Sequence, residues 1–355
     1  MIKTAKFWVW GSLSAVLLII ILVGVCNYIF DPFQQYRTPT FYKPLYLQNY
    51  SRYITPGLIK TRNFETAILG TSTSQNIKAS DVNKIFNTSS IKLTLSGGSG
   101  AEFSLLLSTI LNRQKLKRVI WGIDLFTFRG KPNRLRFLEK TGDFPFYLFD
   151  NNILNDWEYI LNLSTLFYSI KTIKENILKP NSPFLNYDKI WSWAHQLDDK
   201  SYSKTKLRKN YQFFKNNGDS KSVKDIENLK KSVSTNLFQF ASNHPETEFI
   251  IILQPYSIYW WKIQEDIKKI ETLFKFREFI AQESWKLNNI ELFDFQADPE
   301  YLLSTEIFKD IGHFKEQINL ELLNKTFNKS LLANINKVKE NNNFIRNEVR
   351  KLQTN

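Results

Sequence analysis

Short apolar runs recur along the chain, and in each of them the apolar residues stand side by side instead of alternating with polar ones. The runs are Thr66–Leu69, Ile91–Leu95, Arg118–Leu125, Glu248–Gln254 and Ile290–Phe295. This pattern is typical of parallel strands covered on both faces. Helical patterns lie between the runs, at Glu102–Asn112, Asp225–Ser242, Ile263–Leu287 and Lys315–Ile335. The alternation predicts an α/β fold, a three-layer α/β/α sandwich with a parallel sheet and right-handed crossovers.

A longer apolar stretch without any charged residue, Phe7–Phe30, precedes these elements. About 20 helical residues cross the hydrocarbon core of a bilayer, so this stretch predicts a transmembrane helix. Lys3 and Lys6 come before it and Asp31 follows at once, which favours a cytoplasmic N-terminus and an extracytoplasmic remainder. A cleaved signal peptide is the alternative. Lipoprotein cleavage before Cys26 is disfavoured by the bulky Val25.

The rest of the chain divides into one α/β domain over residues 31–335 and a polar tail over residues 336–355, which we expect to be a frayed helix. Asp31–Gly57 is aromatic and without a clear period, which predicts an irregular stalk. Residues 128–218 interrupt the alternation and predict a largely helical, aromatic insertion. It either covers the carboxyl ends of the strands, near a substrate, or completes the core.

Composition excludes several functions. With 43% hydrophobic residues the chain can form a sizeable core, and its single cysteine excludes an internal disulfide. Three histidines and no thiolate cluster argue against a metal site, and no organic cofactor is indicated. A net charge of +14 with the lysines spread through the chain is explained first by solvated basic faces, and otherwise by proximity to anionic lipid or anionic glycan. The absence of a nucleic-acid-binding motif argues against nucleic acid.

The stretch TAILGTSTSQN, Thr66–Asn76, joins a buried strand to small hydroxyl residues. Such a strand presents a serine hydroxyl at the carboxyl edge of a parallel sheet, where α/β proteins place their chemistry. Ser72 stands directly at this turn, and Ser74 is the alternative. A serine needs a base to remove its proton, usually a histidine held by a carboxylate.

The sequence DIGHF supplies such a pair, Asp310 and His313, after the last predicted strand. The spacing lets the carboxylate reach its own histidine, and Gly312 between them would permit a tight or positive-φ backbone. Asp294 and Asp298 are rival partners for His313.

A glycine-rich turn, Ser96–Gly100, follows the second strand and leaves backbone N–H groups uncovered. Such groups can bind an oxyanion, or the turn is simply a flexible connection ahead of a helix. Asp124 ends the third strand, in the stretch Trp121-Gly122-Ile123-Asp124.

Together, ILGTSTS, the glycine turn, WGIDLF, LQPYS and DIGHF resemble the SGNH/GDSL hydrolases. With the predicted anchor, the chain more specifically resembles membrane-anchored SGNH-like envelope proteins. These include the D-alanyl transfer protein of lipoteichoic acid and the O-acetylation proteins of alginate-type polysaccharides.

The resemblance implies that Ser72 is the nucleophile, His313 the base and Asp310 its orienter. The N–H groups of Ser72 and of Gly97 or Gly98 would form the oxyanion hole. Asp124 departs from the family, because many members have Asn there and an ionised carboxylate cannot donate to an oxyanion. Asp124 therefore bonds loop N–H groups, stays protonated, or reduces activity.

The resemblance further implies an esterase or O-acyltransferase on the outer face of the cytoplasmic membrane. It would act on an envelope polysaccharide or glycolipid, beside a multi-spanning membrane acyltransferase and without a metal or cofactor. The alternatives are an inactive protein that binds glycan and a scaffold of a polysaccharide-modifying complex.

Overall fold

The computed structural model describes residues 2–136, 144–217 and 225–352, with side chains from residue 5 onward. The strands are β1 Thr66–Gly70, β2 Ser90–Lys92, β3 Arg118–Ile123, β4 Glu248–Leu253 and β5 Ile290–Asp294. The α-helices are α1 Ile2–Phe30, α2 Ser51–Thr61, α3 Ala79–Phe86, α4 Gly100–Leu111, α5 Trp157–Ile160, α6 Leu163–Leu178, α7 Lys204–Asn217, α8 Ile226–Val233, α9 Gln239–Asn243, α10 Ile258–Asp266, α11 Ile270–Trp285, α12 Pro299–Leu302, α13 Glu316–Phe327 and α14 Ile335–Lys351.

The strands form one parallel five-stranded sheet in the order β2-β1-β3-β4-β5. The predicted parallel sheet of an α/β protein is therefore confirmed. In its register, Gly70 pairs with Gly122, Ile123 with Leu253, and Leu253 with Asp294. Gly70, Ile123, Leu253 and Asp294 end their strands, so the loops that follow leave from one edge of the sheet. The strand order reverses between β1 and β3.

The chain forms two compact units, and their boundaries differ from the predicted division into an anchor, an α/β domain and a tail. The anchor unit comprises Met1–Arg62 and Asp143–Tyr187, and the sheet unit comprises Asn63–Gly142 and Asp188–Asn355. The predicted insertion over residues 128–218 is thus shared between the units. Its described part contains α5, α6, α7 and short 3₁₀ turns but no strand. Residues 137–143 at its start, and residue 218 at its end, lie outside the described residues.

Helix α1 includes a segment, Ala5–Phe30, that is long and apolar enough to cross a membrane. At 1.5 Å per residue it is about 39 Å long. Most of its side chains are exposed, so it does not fit as a core helix. A signal sequence near an N-terminus can have the same length and apolar composition.

The chain after α1 contains a hydrogen-bonded turn at Asp31 and the helix α2, whereas the sequence predicted an irregular stalk. Asp31 is buried and accepts hydrogen bonds from the N–H groups of Gln35, Tyr36 and Arg37 at 2.8–2.9 Å. Further along, α2 continues through Pro56 and Gly57, a pair that normally ends a helix. Tertiary packing overrides this local signal, because the apolar residues of α2, Ile54, Leu58 and Ile59, are fully buried.

The polar C-terminal stretch is helical, as predicted, but over Ile335–Lys351 it is packed rather than frayed. Val338, Ile345 and Val349 of α14 are fully buried. Its asparagines join a buried ion pair in the core, in which Arg277 of α11 donates to Asp294 and to Asn342. Asn341 donates to the same Asp294 carboxylate at 2.7 Å. The many asparagines of α14 make its sequence look like that of an exposed helix, but Asn341 and Asn342 are hydrogen-bonded to the core ion pair.

A buried lysine lies under the turn that follows β1. Lys92, the last residue of β2, is 0% exposed, and its ammonium group donates to the carbonyls of Gln75 and Ile77 at 3.0 and 2.8 Å. Burial lowers the pKa of Lys92 to about 7. The side chain thus ties the Ser72 segment to the neighbouring strand and changes its charge near neutral pH.

Replacing Lys92 with methionine should remove a pH dependence of stability. Between pH 7 and the ordinary lysine pKa, the unfolded chain holds a proton that the folded chain has released. The free energy of unfolding of the wild type should therefore rise with pH relative to that of Lys92→Met, by at most about 1.4 kcal/mol per pH unit. Denaturant titrations in detergent at several pH values measure the difference.

The matched control is Lys84→Met, on the exposed face of α3. The difference in the free energy of unfolding between Lys84→Met and the wild type should be the same at every pH. Parallel stability curves for the wild type and Lys92→Met would show that the lysine keeps its ordinary pKa.

Candidate functional site

Ser72, His313 and Asp310 form one chain of hydrogen bonds. Ser72 Oγ lies 2.8 Å from His313 Nε2, although the two residues are 241 positions apart. His313 Nδ1 lies 2.9 Å from both carboxylate oxygens of Asp310. A carboxylate only accepts, so we assign the hydrogen to Nδ1. The lone pair of Nε2 then faces the serine hydroxyl, which is the arrangement needed to remove its proton.

The turn after β1 separates the two candidate serines. Ser72 begins a 3₁₀ turn, Ser72–Ser74, after the extended Thr71. Ser74 points into the sheet, is 0% exposed, and donates to Gln254 Oε1 at 3.1 Å. A Cβ on Gly70 or Gly122 would come within 2.1 or 2.2 Å of Ser74 Oγ. Ser74 is therefore buried between the turn and the sheet, while the Ser72 hydroxyl faces His313.

The loop Phe308–Phe314 carries both the histidine and its carboxylate. Its ends pair with each other across an antiparallel bridge, and the N–H of Lys309 donates to the carbonyl of His313 at 2.9 Å. Ser257, which caps α10 after β4, donates to the carbonyl of Ile311 through its N–H and its hydroxyl. The loop is thus closed on itself and fixed to the edge of the sheet.

Of the two conformations expected at Gly312, a tight or a positive-φ backbone, the positive φ is not observed. A Cβ there would meet Tyr256 at 3.6 Å, an ordinary van der Waals distance. The rival carboxylates are engaged elsewhere. Asp294 pairs with Arg277 in the core, while Asp298 caps α12 and pairs with Lys325.

Asp310 is held as a carboxylate. Burial by itself would raise its pKa, but hydrogen bonds from His313 and from the N–H of Gly312, with the nearby charge of Lys309, outweigh that effect. The net result is a pKa below the ordinary value. The group that orients His313 is therefore ionised at neutral pH.

Trp193 completes the surroundings of the pair, and sequence reasoning missed it. Its indole N–H donates to the carbonyl of Ser72 at 2.9 Å, and its ring meets the His313 ring edge-on at 5.6 Å. The ammonium group of Lys309 lies 3.7 Å from the centre of the indole. Asn76 holds this loop in place, since its side-chain oxygen accepts from the N–H groups of Trp193 and Ala194, both at 3.2 Å.

The glycine turn also lies at this edge of the sheet. The N–H of Leu95 donates to the carbonyl of Gly70 at 2.9 Å. Ser72 lies two residues after Gly70, and Gly97 lies two residues after Leu95. The φ of Gly97 is +56°, a conformation that suits glycine. The N–H of Gly98 is occupied by the carbonyl of Leu95 at 2.8 Å. Among the described residues, no acceptor lies on the N–H of Ser72 or of Gly97.

Asp124, after β3, accepts hydrogen bonds. Its carboxylate receives the hydroxyl of Tyr256 at 2.7 Å, the N–H of Phe126 at 3.1 Å and the hydroxyl of Thr71 at 3.4 Å. Of the roles considered for it, these contacts fit a carboxylate that orders the surrounding loops. The contact with Thr71 also places it beside the residue that precedes Ser72.

A cavity of about 360 Å³ opens beside the histidine. Its wall is aromatic and apolar at Phe126, Trp260 and Ile263, and basic at Arg129 and Lys269. Asp124, Asp310 and His313 also line it, as do Asn210 and Phe214 from the predicted insertion. A small organic group could therefore bind next to the Ser72–His313 pair.

The other expectations concern histidines and metals. His244 follows α9 and lies 3.4 Å from Glu246, whereas His195 lies in a 3₁₀ turn, Ala194–Gln196, where burial lowers its pKa. Within the described ranges, no group of three His, Cys, Asp or Glu could hold a metal ion.

No known protein family and no curated protein matches this chain.

Replacing Asp310 with asparagine should slow the reaction of Ser72 with electrophiles. The amide can donate to Nδ1 and so favour the tautomer with hydrogen on Nε2, which cannot accept the serine proton. We expect a loss of roughly 10³–10⁴-fold in the labelling rate with a fluorophosphonate, measured by mass spectrometry of the Ser72 peptide.

Asp298→Asn is the matched control, because Asp298 caps α12 and does not contact His313. Its labelling rate should stay near that of the wild type. An unchanged rate in Asp310→Asn would mean that the carboxylate does not orient the base.

Proposed function

We propose that the chain is a membrane-anchored, extracytoplasmic serine esterase or O-acyltransferase of the SGNH type, which acts on a cell-envelope glycan. The observation that carries the proposal is the hydrogen-bond chain from Ser72 Oγ through His313 to Asp310. A half-buried, ionised carboxylate, a fixed histidine and a serine after the end of a strand are the parts that acyl transfer through a serine needs.

The proposed reaction has two steps. Ser72 Oγ attacks the acyl carbonyl, His313 Nε2 takes the hydroxyl proton, and Asp310 stabilises the resulting imidazolium. His313 then returns the proton to the leaving group, so that an ester remains on Ser72. In the second step His313 takes a proton from a glycan hydroxyl, or from water, and that oxygen attacks the ester carbonyl. His313 then gives the proton to Ser72 Oγ as the bond between the acyl group and the serine breaks.

The oxyanion would be bound by the N–H groups of Ser72 and Gly97. Both are without an acceptor among the described residues, and both follow the Gly70–Leu95 hydrogen bond. The N–H of Gly98 is removed from this role by its bond to Leu95. Removing a single oxyanion donor typically costs about 10²–10³ in rate.

The fold supports the same proposal. The order β2-β1-β3-β4-β5 is that of flavodoxin-like doubly wound sheets, in which helices cover both faces and ligands bind where the strand order reverses. We therefore propose the three-layer sandwich as the architecture of the sheet unit. Ser72 follows β1 and Asp124 follows β3, the two strands on either side of the reversal.

The aromatic cavity and the anchor support a glycan acceptor at the membrane. Trp260 and Tyr256 are nearly buried and stack on each other with ring centres 4.0 Å apart. The part-exposed Phe126 packs beside Trp260 and offers an aromatic surface to a sugar or acyl group. With an uncleaved α1, Lys3 and Lys6 would keep the N-terminus cytoplasmic. The acyl group would be small, such as acetyl, and a multi-spanning membrane acyltransferase would supply it.

A fluorophosphonate tests the proposal directly. It should form a covalent adduct on Ser72 of the wild type, and Ser72→Ala and His313→Ala should abolish the adduct while circular dichroism shows a folded protein. Ser74→Ala is the control for the neighbouring serine and should still be labelled. Labelling that survives Ser72→Ala would contradict the proposal.

An inactive glycan-binding protein is the second candidate, and Asp124 favours it. A carboxylate beside the residue that precedes Ser72 would repel a developing oxyanion. In that protein the aromatic cavity would bind sugar, and Ser72 would have no reactivity toward fluorophosphonate.

Replacing Asp124 with asparagine should separate the candidates. Asparagine keeps an oxygen to accept from Tyr256 and Phe126, and it removes the negative charge. If the chain is an enzyme, labelling of Ser72 should become faster, by up to about 100-fold. Asp310→Asn, which also removes one charge, should instead be slower. If Asp124 makes the chain an inactive binding protein, the wild type should be unlabelled, and only Asp124→Asn should acquire the label.

A further inference from the structure

Helix α6 has an inverted distribution of polar and apolar residues. Its buried face carries Thr165, Tyr168, Ser169 and Thr172, which are each at most 3% exposed. Its outer face carries apolar residues at helical spacing: Leu163, Phe167, Ile170, Ile177 and Leu178 are 52–71% exposed. A helix on a water-exposed surface normally shows the opposite pattern.

The buried polar face of α6 does not need water. The hydroxyl of Ser169 donates to the carbonyl of Thr165 at 3.2 Å, and that of Thr172 to the carbonyl of Tyr168 at 2.8 Å. The hydroxyl of Tyr168 donates to the carbonyl of Leu45. Satisfying polar groups internally is the requirement for a segment that lies against hydrocarbon.

The exposed apolar residues continue into the segment before α6. Ile153, Leu154 and Trp157 are 78%, 82% and 61% exposed. We define the apolar face as Ile153, Leu154, Trp157, Phe167, Ile170 and Ile177. Exposed apolar side chains in such number on one short region indicate that something other than water covers them.

This segment packs on α1 within the anchor unit. The side-chain amide of Asn27 donates to the carbonyls of Ile160 and Asn162, at 2.7 and 2.9 Å. Gly24 permits close approach, since a Cβ there would lie 3.1 Å from Leu161. Gly24 precedes the end of α1 by about 9 Å of helix. The junction between α5 and α6 therefore lies beside the last turns of the helix that could cross a membrane.

We infer that the apolar face is inserted in the acyl chains of an anionic lipid bilayer, at the interface beside the end of α1. The exposed Lys171 and Lys174 lie on the outer side of α6, and Lys179 follows its end. Their stems can run along hydrocarbon while the ammonium groups reach anionic headgroups. The inference depends on the proposed membrane anchor but not on the chemistry of Ser72.

Spin labels on the full chain in vesicles of phosphatidylcholine and phosphatidylglycerol test the inference. In a Cys26→Ala background, a nitroxide is placed by Phe167→Cys or Ile170→Cys, two sites exposed enough to tolerate it. Val16→Cys reports on insertion of α1, and Trp285→Cys, which is 72% exposed on α11, serves as the aqueous control.

The labels at Phe167 and Ile170 should be accessible to oxygen and lose accessibility to a water-soluble nickel chelate, as the Val16 label should. The Trp285 label should remain accessible to nickel. Nickel access at Phe167 and Ile170, with Val16 protected, would overturn the inference and leave the anchor intact. Nickel access at Val16 as well would overturn the anchor and the inference together.

A protein partner would give a different result. Labels at Phe167 and Ile170 that are exposed to nickel in pure lipid vesicles, but protected in native membranes, would mean that another membrane protein covers the face. That outcome would also overturn the inference. Lys171→Gln with Lys174→Gln should shift both labels toward the water in anionic vesicles and leave the Val16 label unchanged.

Discussion

The hydrogen bond between Ser72 and His313 depends on the register of the parallel sheet. The serine follows β1 and the histidine lies in a loop beyond β5, and nothing local in the chain brings them together. The loops reach the same edge of the sheet only because Gly70 pairs with Gly122 and Ile123 pairs with Leu253. A slip of one residue would turn each side chain to the other face of its strand. The chemistry of the site is therefore set by backbone pairing in the core.

Polar contacts below and beside the serine turn then restrict it. Ser74 bonds Gln254 underneath, Lys92 donates to the carbonyls that follow, and Asn76 holds the loop of Trp193 against it. Burying Lys92 costs free energy, which is visible in its lowered pKa. These contacts leave the Ser72 hydroxyl as the group that faces the base.

The sequence predicted those parts of the molecule that are encoded locally. β3 and β4 begin where their apolar runs begin, because buried parallel strands require such runs. The pairing of Asp310 with His313 was predictable from spacing within one loop. Trp193 was not, because its contact with Ser72 depends on a loop from a distant, irregular region. The helical Pro56–Gly57 pair and the buried asparagines of α14 were misjudged for a related reason, since packing overrides their local preference.

The loop Phe308–Phe314 has a consequence for how such a protein can change over generations. Base and carboxylate both belong to one short segment whose ends pair with each other, and no sheet strand contributes to it. A single deletion or replacement there would take away both groups at once and leave the register of the sheet untouched. A chain that has the Ser72–His313 hydrogen bond and a chain that lacks it can therefore share one fold and differ in a single short segment.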